Sequence, residues 1–522
     1  METMRKDWSM EDFLHEIPAV PGKDITTKQV LNYGASNYVY HIWEQDEADY
    51  LAYLKVLEEA GFVKYTENTE GVKGYYYSTT YEKEDIVLTV SHLRTAGRLS
   101  VSGCLNLYRN NRSEEEVFAD VPVLDGEVEH RGDGTYMITV EDSDKTRYLD
   151  YLQTLEMAGF VKYTDNGDGL GGTVFSVTYT KGRQVVTVCY MLKLRIIYIS
   201  VSIDLPLSDH LIYKDEYVNV NKEAKTKLHM MELWTYGNSF VFQLKNGHFL
   251  ISDGGCEYDL PYLLDYLDSL TPAGQKPVVE AWMITHMHRD HCGTINAIAE
   301  EPEKFADRVF VDGFYYNEPN DNVMGIDPGC LSNIIYLKQA AEYCRTSKGE
   351  PVKIYRPQTG QRYYFCDITV DIVLCQEHLG WELFEPDQND SSTWYMFTIE
   401  GQKCLLAGDS EKGGIHKVMM TYDSKYLDMD MFSLLHHGHS TRNEFTDYAK
   451  VKTVLVTTCD KTPKRREEQN RYLKEQSQEW LVWGDGTKVL TFPYEVGSYE
   501  SVAQRSWIYN EGQERPIQPN MD

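Results

Sequence analysis

Three histidines and one aspartate lie within six residues, in the segment His286-Met287-His288-Arg289-Asp290-His291. Imidazole and carboxylate groups are the side chains that zinc and similar divalent cations prefer. The residues before the segment, 277–284, are apolar and predict a buried strand, and a helix is expected to start near Thr294. The polar groups would then lie on a loop at the carboxyl end of a strand, where open α/β sheets build their sites. We therefore expect a metal centre here; the alternative is an ordinary polar loop without metal.

Three other segments end apolar runs with candidate ligands. Residues 249–252 lead into Asp253-Gly254-Gly255, residues 404–407 lead into Gly408-Asp409, and residues 431–435 lead into His436-His437-Gly438-His439. Taken alone, glycine beside aspartate after a strand is only a turn signal. Taken in order after the histidine segment, the three endings predict side chains that converge on one site.

In this order the segments resemble the signature of the metallo-β-lactamase superfamily, over residues 228–495. The resemblance implies two divalent cations, with zinc as the default and Mn²⁺ or Fe²⁺ as alternatives. It implies the following metal ligands: His286 and His288 for the first cation, Asp290 and His291 for the second, Asp409 as the bridge, and His437 as the last ligand. His436 is the second choice for the last ligand, and Asp253 is expected to support the ligands through hydrogen bonds.

The third ligand of the first cation is not evident from this pattern. In many relatives it is a histidine before the Gly-Asp strand, and His378 is the candidate in this chain. The segment 389–392, Asn-Asp-Ser-Ser, together with His-His-Gly, resembles instead the branch of ComEC-like DNA-uptake and phosphorylcholine-esterase-like hydrolases. Two histidines and an Asn, Asp or water would then hold that cation, which adds Asn389 and Asp390 to the candidates.

The resemblance also implies a fold and an activity. The fold class is α/β, or α+β over the whole chain, with residues 225–500 forming a four-layer αββα sandwich. The implied reaction is hydrolysis by a metal-bound hydroxide, with Asp290 orienting the nucleophile and His439 giving a proton to the leaving group. A phosphodiester or related small molecule is the expected substrate. A carboxylic ester or lactone is the alternative substrate, and a binding or regulatory protein with an impaired metal site is the alternative function.

The N-terminal half contains a duplication. Residues 48–68 and 146–166 match at a spacing of 98, with 14 of 21 positions identical. In each copy apolar residues recur at helical spacing, and Gly61 or Gly159 stands where a helix ends. Alternating runs before and after each helix predict a β-α-β-β unit. The many tyrosines are expected to pack one sheet face rather than to line a recognition groove.

The expected domain division is an arm at 1–34, repeat 1 at 35–124, repeat 2 with a linker at 125–224, the hydrolase domain at 225–500 and a tail at 501–522. The formal net charge of −30 argues against tight binding to nucleic acid. The expected partner is a small-molecule substrate, and the repeats are candidate surfaces for homo-oligomer contacts. The absence of an apolar N-terminal stretch or membrane-length apolar run, with ten scattered cysteines, favours a cytoplasmic protein without a membrane partner.

Overall fold

The computed structural model describes residues 8–72, 76–105, 112–131, 134–215, 223–234, 236–320, 327, 329–376, 388–439, 442–457, 467–483 and 486–502. His378 and residues 503–522 of the predicted tail lie outside these ranges. Within them the protein has a mixed α/β structure with four β-sheets. None of its described helices combines the length and the apolar character needed to cross a lipid bilayer.

The first sheet contains repeat 1. Its elements are α1 (Met10–Glu16), β1 (Leu31–Gly34), β2 (Asn37–Ile42), α2 (Glu47–Glu59), β3 (Val63–Val72), β4 (Tyr76–Lys83), β5 (Ile86–Leu93) and β6 (Arg98–Leu105). The strand order is β1-β2-β6-β5-β4-β3. Helix α2 begins where the Asp46 side chain accepts a hydrogen bond from the Asp49 backbone amide, and Gly61 follows its end with a φ of +86°. Trp8 and Phe13 join the core of this sheet, so the structure does not separate the predicted arm from repeat 1.

The second sheet contains repeat 2 and has the same topology. Its elements are α3 (Glu114–Phe118), β7 (Glu127–His130), β8 (Tyr136–Val140), α4 (Lys145–Met157), β9 (Val161–Asp165), β10 (Val174–Lys181), β11 (Gln184–Met191) and β12 (Ile196–Ile203). The strand order is β7-β8-β12-β11-β10-β9. The edge strands β7 and β9 were not predicted, because both are half-exposed and carry no clear apolar alternation. Tyrosines of both repeats, including Tyr50, Tyr81, Tyr148 and Tyr179, lie in the sheet cores, as the packing interpretation predicts.

The C-terminal half contains the other two sheets. Its strands are β13 (Lys227–Met230), β14 (Ser239–Gln243), β15 (Phe249–Asp253), β16 (Val278–Met283), β17 (Phe310–Val311), β18 (Gly313–Tyr315), β19 (Lys353–Tyr355), β20 (Arg362–Phe365), β21 (Ile368–Leu374), β22 (Trp394–Ile399), β23 (Gln402–Leu406), β24 (Met429–Ser433), β25 (Val451–Val456), β26 (Glu479–Val482), β27 (Thr487–Thr491) and β28 (Glu500–Val502). The third sheet has the order β19-β18-β16-β15-β14-β13-β27-β28, with β17 beside β16. The fourth sheet has the order β20-β21-β22-β23-β24-β25-β26.

Helices accompany both of these sheets. They are α5 (Leu260–Leu270), α6 (Arg289–Glu300), α7 (Pro302–Phe305), α8 (Gly329–Tyr343), α9 (Lys412–Thr421), α10 (Asn443–Tyr448) and α11 (Arg471–Gln476). The third and fourth sheets share one apolar core, in which the rings of Phe242 and Phe397 stack with their centroids 4.4 Å apart. Because side chains alternate along a strand, the neighbouring Met396 points to the opposite face, where it packs with α9 and with repeat 2.

Helix α6 begins five residues earlier than the sequence predicts. His288 has extended backbone angles and precedes the first helical residue, Arg289, rather than Thr294. Asp290 and His291 therefore lie in the first turn of a helix and not on a loop. A carboxylate is favoured there because the amino-terminal end of a helix carries partial positive charge.

Lys417 on α9 provides a test of the contact with repeat 2. Its ammonium donates to the Tyr198 hydroxyl at 3.1 Å, and burial lowers the pKa of Lys417 to about 8. An unfolded lysine titrates near pH ~10.4, so the unfolded chain binds this proton more tightly than the folded chain does. Burial of Lys417 therefore lowers the free energy of unfolding by its full amount below about pH 8. This penalty decreases as the pH rises toward ~10.4.

We expect Lys417→Met to raise Tm at pH 7 by roughly 2 °C or more, and to raise it less at pH 9.5. Thermal unfolding of both proteins at the two pH values measures the difference. Lys412→Met, an exposed change on the same helix, should leave Tm unchanged at both. A smaller increase in Tm at pH 7 than at pH 9.5 on changing Lys417 to Met would contradict the lowered pKa of Lys417.

Candidate metal centre

The predicted ligands meet at one edge of the two C-terminal sheets. Strands β15 and β16 are parallel: β15 ends at Asp253, and β16 ends shortly before His286. Strands β23 and β24 are also parallel: β23 ends shortly before Asp409, and β24 ends shortly before His437. Carboxyl ends of neighbouring parallel strands lie at the same sheet edge, which explains how distant segments come together. One group formed there contains Asp290, His291, Asp409 and His437, and its candidate ligand atoms all lie within 4.8 Å of one another.

The Asp409 carboxylate lies between two histidines. His291 Nε2 is 3.1 Å from Asp409 Oδ1, and His437 Nε2 is 3.5 Å from Asp409 Oδ2. His437 Nε2 also lies 3.1 Å from Asp290 Oδ2. Asp409 thus presents one oxygen to each histidine.

The other ring nitrogen of each of these histidines is held by a fixed acceptor. His291 Nδ1 lies 2.9 Å from Asp253 Oδ2, and His437 Nδ1 donates to the Thr457 carbonyl at 2.8 Å. Because carbonyl and carboxylate oxygens only accept, Nδ1 carries the proton in both rings. The Nε2 atoms are therefore directed into the group, as in histidines that bind a metal.

His286 and His288 form a second pair beside this group. His286 Nε2 and His288 Nδ1 are 3.0 Å apart, and the rings of His286 and His291 lie 4.2 Å apart between centroids. His288 Nε2 lies 3.1 Å from Asp327 Oδ2 and donates to that carboxylate, which directs Nδ1 toward His286.

His286 is oriented through Thr285. The Thr285 hydroxyl donates to Asp253 and its oxygen lies 3.2 Å from His286 Nδ1, so this oxygen accepts the Nδ1 proton. The two facing nitrogens, His286 Nε2 and His288 Nδ1, lie 3.0 Å apart, and either one proton or one cation between them can join the two rings.

The histidines and carboxylates of the site set one another's charge. Burial and the neighbouring His291 and His288 lower the pKa of His286 well below its usual range, which keeps this ring neutral. Burial raises the pKa of Asp409, but His291 and His437 outweigh it and hold the carboxyl ionised. Burial likewise opposes ionisation of Asp290, and the same two histidines lower its pKa. Burial lowers the pKa of His291 and of His437, but the carboxylates outweigh it and raise both, so a bound cation would take the place of protons on these rings.

Two buried atoms at the centre, His291 Nε2 and Asp409 Oδ1, face each other at 3.1 Å without the alignment of a hydrogen bond. The two residues are 0% and 2% exposed. Buried polar atoms are nearly always satisfied, and a cation bound to both atoms would satisfy this pair. The donor set, two imidazoles and two carboxylates, fits zinc and also accommodates manganese or iron.

The loop that carries His437 has an uncommon backbone conformation. His436 (φ 46°, ψ 52°) and His437 (φ 49°, ψ 25°) are both left-handed without being glycine. Such residues cost of order 1 kcal/mol or more each and persist only where their surroundings enforce them. Asn470 Nδ2 donates to the Gly438 carbonyl at 2.9 Å, which holds the loop in this conformation. Strain maintained at this point aims His437 at the two carboxylates.

His436 and His439 lie at the rim of the group. His436 Nε2 is 3.8 Å from Asp409 Oδ2, farther than His437, and its Nδ1 is 2.9 Å from Glu411 Oε1. His439 is exposed, and its ring centroid lies 4.9 Å from that of His436. The geometry thus favours His437 over His436 as the inner histidine and leaves His439 facing solvent.

Asp390 does not face the candidate ligands. Its Oδ1 accepts from the backbone amides of Glu411 and Gly414 at 2.7 and 2.9 Å, and its Oδ2 accepts from Gly413 at 3.0 Å. The carboxylate therefore caps the start of α9, and the prediction of Asp390 as a further ligand is corrected. Asn389 begins the same short turn, Asn389–Ser391.

Sequence reasoning missed two residues that hold the ligands. Asp327, which binds His288, belongs to a second group of possible metal-binding side chains together with Cys330. Burial alone lowers the pKa of His288, but its hydrogen bond to Asp327 outweighs burial and raises it to about 9. Ser392 Oγ lies 3.2 Å from His286 Nδ1 and accepts from the Asp409 amide at 3.1 Å. Ser392 belongs to the motif at 389–392, whereas no sequence pattern around Asp327 indicates a role in the site.

Comparison with known proteins adds little to this geometry. No protein-family model and no curated protein matches the chain. Among solved structures, Zn²⁺-bound PqqB from Methylobacterium extorquens is 10% identical, with 48% of this chain and 86% of that chain covered and a TM-score of 0.30. A diphosphatase of the PhnP family is 15% identical, with 51% and 98% covered and a TM-score of 0.29. These low scores carry no argument, so the case rests on the site itself.

Asp253 tests whether the surrounding hydrogen bonds support metal binding. We expect Asp253→Asn to lower zinc affinity about 10–100-fold, because the amide cannot fix the His291 tautomer as the carboxylate does. Competition with a chromogenic chelator measures the affinity, and circular dichroism checks the fold. Asp265→Asn, a change of an exposed carboxylate on α5, serves as the matched control. Unchanged zinc affinity in a folded Asp253→Asn protein would refute the supporting role.

Proposed function

We propose that this chain is a metal-dependent hydrolase of the metallo-β-lactamase type that cleaves a phosphodiester or a related small substrate. One observation carries the proposal: the inward-directed atoms of Asp290, His291, Asp409 and His437 form a buried group beside the facing nitrogens of His286 and His288. At its centre the buried atoms His291 Nε2 and Asp409 Oδ1 lie 3.1 Å apart without an aligned hydrogen bond, and a cation bound to both would satisfy them.

In this proposal His286 and His288 would hold one cation, Asp290, His291 and His437 would hold the second, and Asp409 would serve both. When bound, such cations lower the pKa of water and offset negative charge on a phosphoryl oxygen. The pattern Asn389-Asp390-Ser391-Ser392 with His436-His437-Gly438 favours the phosphodiesterase branch, although Asp390 itself acts as a helix cap. The excess of 81 acidic over 51 basic residues favours a small substrate over a nucleic acid.

The side chains at the site divide the remaining work. The Asp290 carboxylate, kept ionised by His291 and His437, can accept a proton from an attacking water molecule. His439 lies on the open side next to His436 and is placed to return a proton to a departing alkoxide. Burial of Asp290, Asp409 and His291 excludes bulk water from the inner face of the site, which strengthens every charge interaction there.

Metal analysis paired with a substrate screen tests the proposal. Protein purified without chelator should contain about two equivalents of divalent metal by elemental analysis, and it should hydrolyse bis-p-nitrophenyl phosphate faster than p-nitrophenyl esters. Asp409→Ala should lower turnover at least ~100-fold and reduce the metal content, because the shared carboxylate is lost. Asp423→Ala, which removes an exposed carboxylate in the turn after α9, should do neither.

Each alternative has a distinct result in the same experiment. Preference for p-nitrophenyl esters would indicate an ester or lactone hydrolase with the same centre. A folded protein with no bound metal and no turnover would indicate a binding protein with an impaired site. Full metal content and full turnover in Asp409→Ala would show that this carboxylate is not shared between two cations.

A further inference from the structure

Repeat 1 is attached to the helix that begins beside the metal centre. The Ala35 amide donates to the Tyr336 hydroxyl at 3.1 Å, and Asn37 Nδ2 donates to Ser332 Oγ at 3.0 Å. The Tyr33 ring lies so close to Gly329 that a Cβ atom there would approach it to 3.0 Å. Strands β1 and β2 are thereby fixed against the first turns of α8.

This attachment brings repeat 1 next to Asp327, which binds His288. Asp327 precedes α8 by two residues, and Tyr33 contacts the first residue of that helix. Burial raises the pKa of Tyr33, and the Asp327 carboxylate raises it further while Arg98 lowers it. His41 on β2 experiences both charges as well. His41 Nδ1 also lies 2.8 Å from Ser100 Oγ, and Arg98 precedes Ser100 by two residues on the same face of β6.

Arg98 has no anionic partner within the described part of the chain. Its guanidinium lies over the Trp43 ring, 6.0 Å from the centroid, and its buried Nε makes no hydrogen bond. Carboxylates outnumber cations in this protein by 81 to 51, so an arginine without an ion pair requires a reason. Trp43 is 57% exposed, which leaves the stacked pair open to a ligand.

The duplication provides an internal comparison. Ile42 pairs with Leu99 in the first sheet, and Val140 pairs with Ile197 at the equivalent place in the second. The residues that correspond to Trp43 and Arg98 at the spacing of 98 are Glu141 and Ile196. The fold of the repeat therefore does not require the arginine or the tryptophan.

Repeat 2 uses the same sheet face differently. Gln361 Nε2 donates to Thr178 Oγ1 at 3.3 Å, and Tyr198 contacts Lys417 on α9. That face is covered by the fourth sheet and its helix, whereas in repeat 1 the same face packs on α8 through Asn37 and Cys104. The two copies have thus acquired different partners, and Arg98 lies on the face of repeat 1 that packs on α8.

We propose that Arg98, stacked on Trp43, binds a second anionic group of the substrate while the phosphodiester occupies the metal centre. A guanidinium binds a carboxylate or a phosphate through two parallel hydrogen bonds, and the stacking on Trp43 restrains its orientation. Repeat 1 then selects small phosphodiesters that carry a further carboxylate or phosphate. This inference rests on the function proposed above.

Binding measurements that need no turnover test the inference. Isothermal titration calorimetry of the zinc-loaded protein would use methyl propyl phosphate, methyl 2-carboxyethyl phosphate and methyl 2-(phosphonooxy)ethyl phosphate. The wild type should bind one or both of the doubly anionic probes about tenfold more tightly than the propyl probe. Arg98→Gln should bring the ratio of the Kd of the propyl probe to the Kd of each doubly anionic probe close to one, without changing the Kd of the propyl probe. Arg94→Gln, which removes the same charge from the neighbouring turn, should retain the wild-type ratio.

The two doubly anionic probes distinguish a carboxylate from a phosphate as the preferred group. A wild-type ratio of one or below, absent binding of all three probes, or an undiminished ratio in Arg98→Gln would overturn the inference. Failure of the proposed function gives another result: no hydrolysis of any p-nitrophenyl substrate, with the binding preference and its dependence on Arg98 intact.

Discussion

The hydrogen bond between His291 Nδ1 and Asp253 Oδ2 is the interaction on which the site depends most. It holds a fully buried imidazole in one tautomer, so that Nε2 faces Asp409 at 3.1 Å. The same carboxylate accepts from the Thr285 hydroxyl, whose oxygen in turn orients His286. One aspartate at the end of β15 thus sets the direction of a histidine in each half of the centre. Its positive φ of 59° turns the carboxylate toward them.

Close backbone packing places the shared carboxylate in the same way. Gly408 has a φ of +51°, and a Cβ atom there would lie 2.5 Å from Thr285 Oγ1 and 2.8 Å from Ser392 Oγ. Only glycine allows β23 to end this close to the loop after β16. Asp409 follows directly and its amide donates to Ser392. The glycine before the ligand is therefore as necessary to the geometry as the ligand.

Much of the site could be predicted because its ligands follow strands that have strong apolar patterns. Residues 277–284 and 404–407 contain β16 and the end of β23, and the ligands come directly after them. The early start of α6 was missed, because its first turn contains the polar residues Arg289, Asp290 and His291 in place of an apolar stripe. Asp327 could not be found, since its role depends only on where the chain passes His288 in space. Asp390 was misjudged because its motif signals a cap as readily as a ligand.

Sequence identity between the two repeats made the duplication evident, but it did not show that the two copies contact different elements. Repeat 2 packs on the fourth sheet through Met137, Cys189 and other apolar residues of its own. Repeat 1 contacts α8 through polar contacts such as Asn37 to Ser332 and through a small apolar cluster of Val87, Cys104 and Ile335. The sequence shows which residues differ between the copies, and the contacts show that the two copies pack on different elements of the C-terminal half.

Anomalous diffraction at the zinc edge from crystals grown with zinc tests the central claim most directly. The account predicts two peaks, each about 2.0–2.2 Å from its ligand atoms. One peak should lie among Asp290, His291, Asp409 and His437, and the other between His286 Nε2 and His288 Nδ1. Crystals in which these side chains keep their positions and no anomalous peak lies within coordination distance of Asp409 would contradict it.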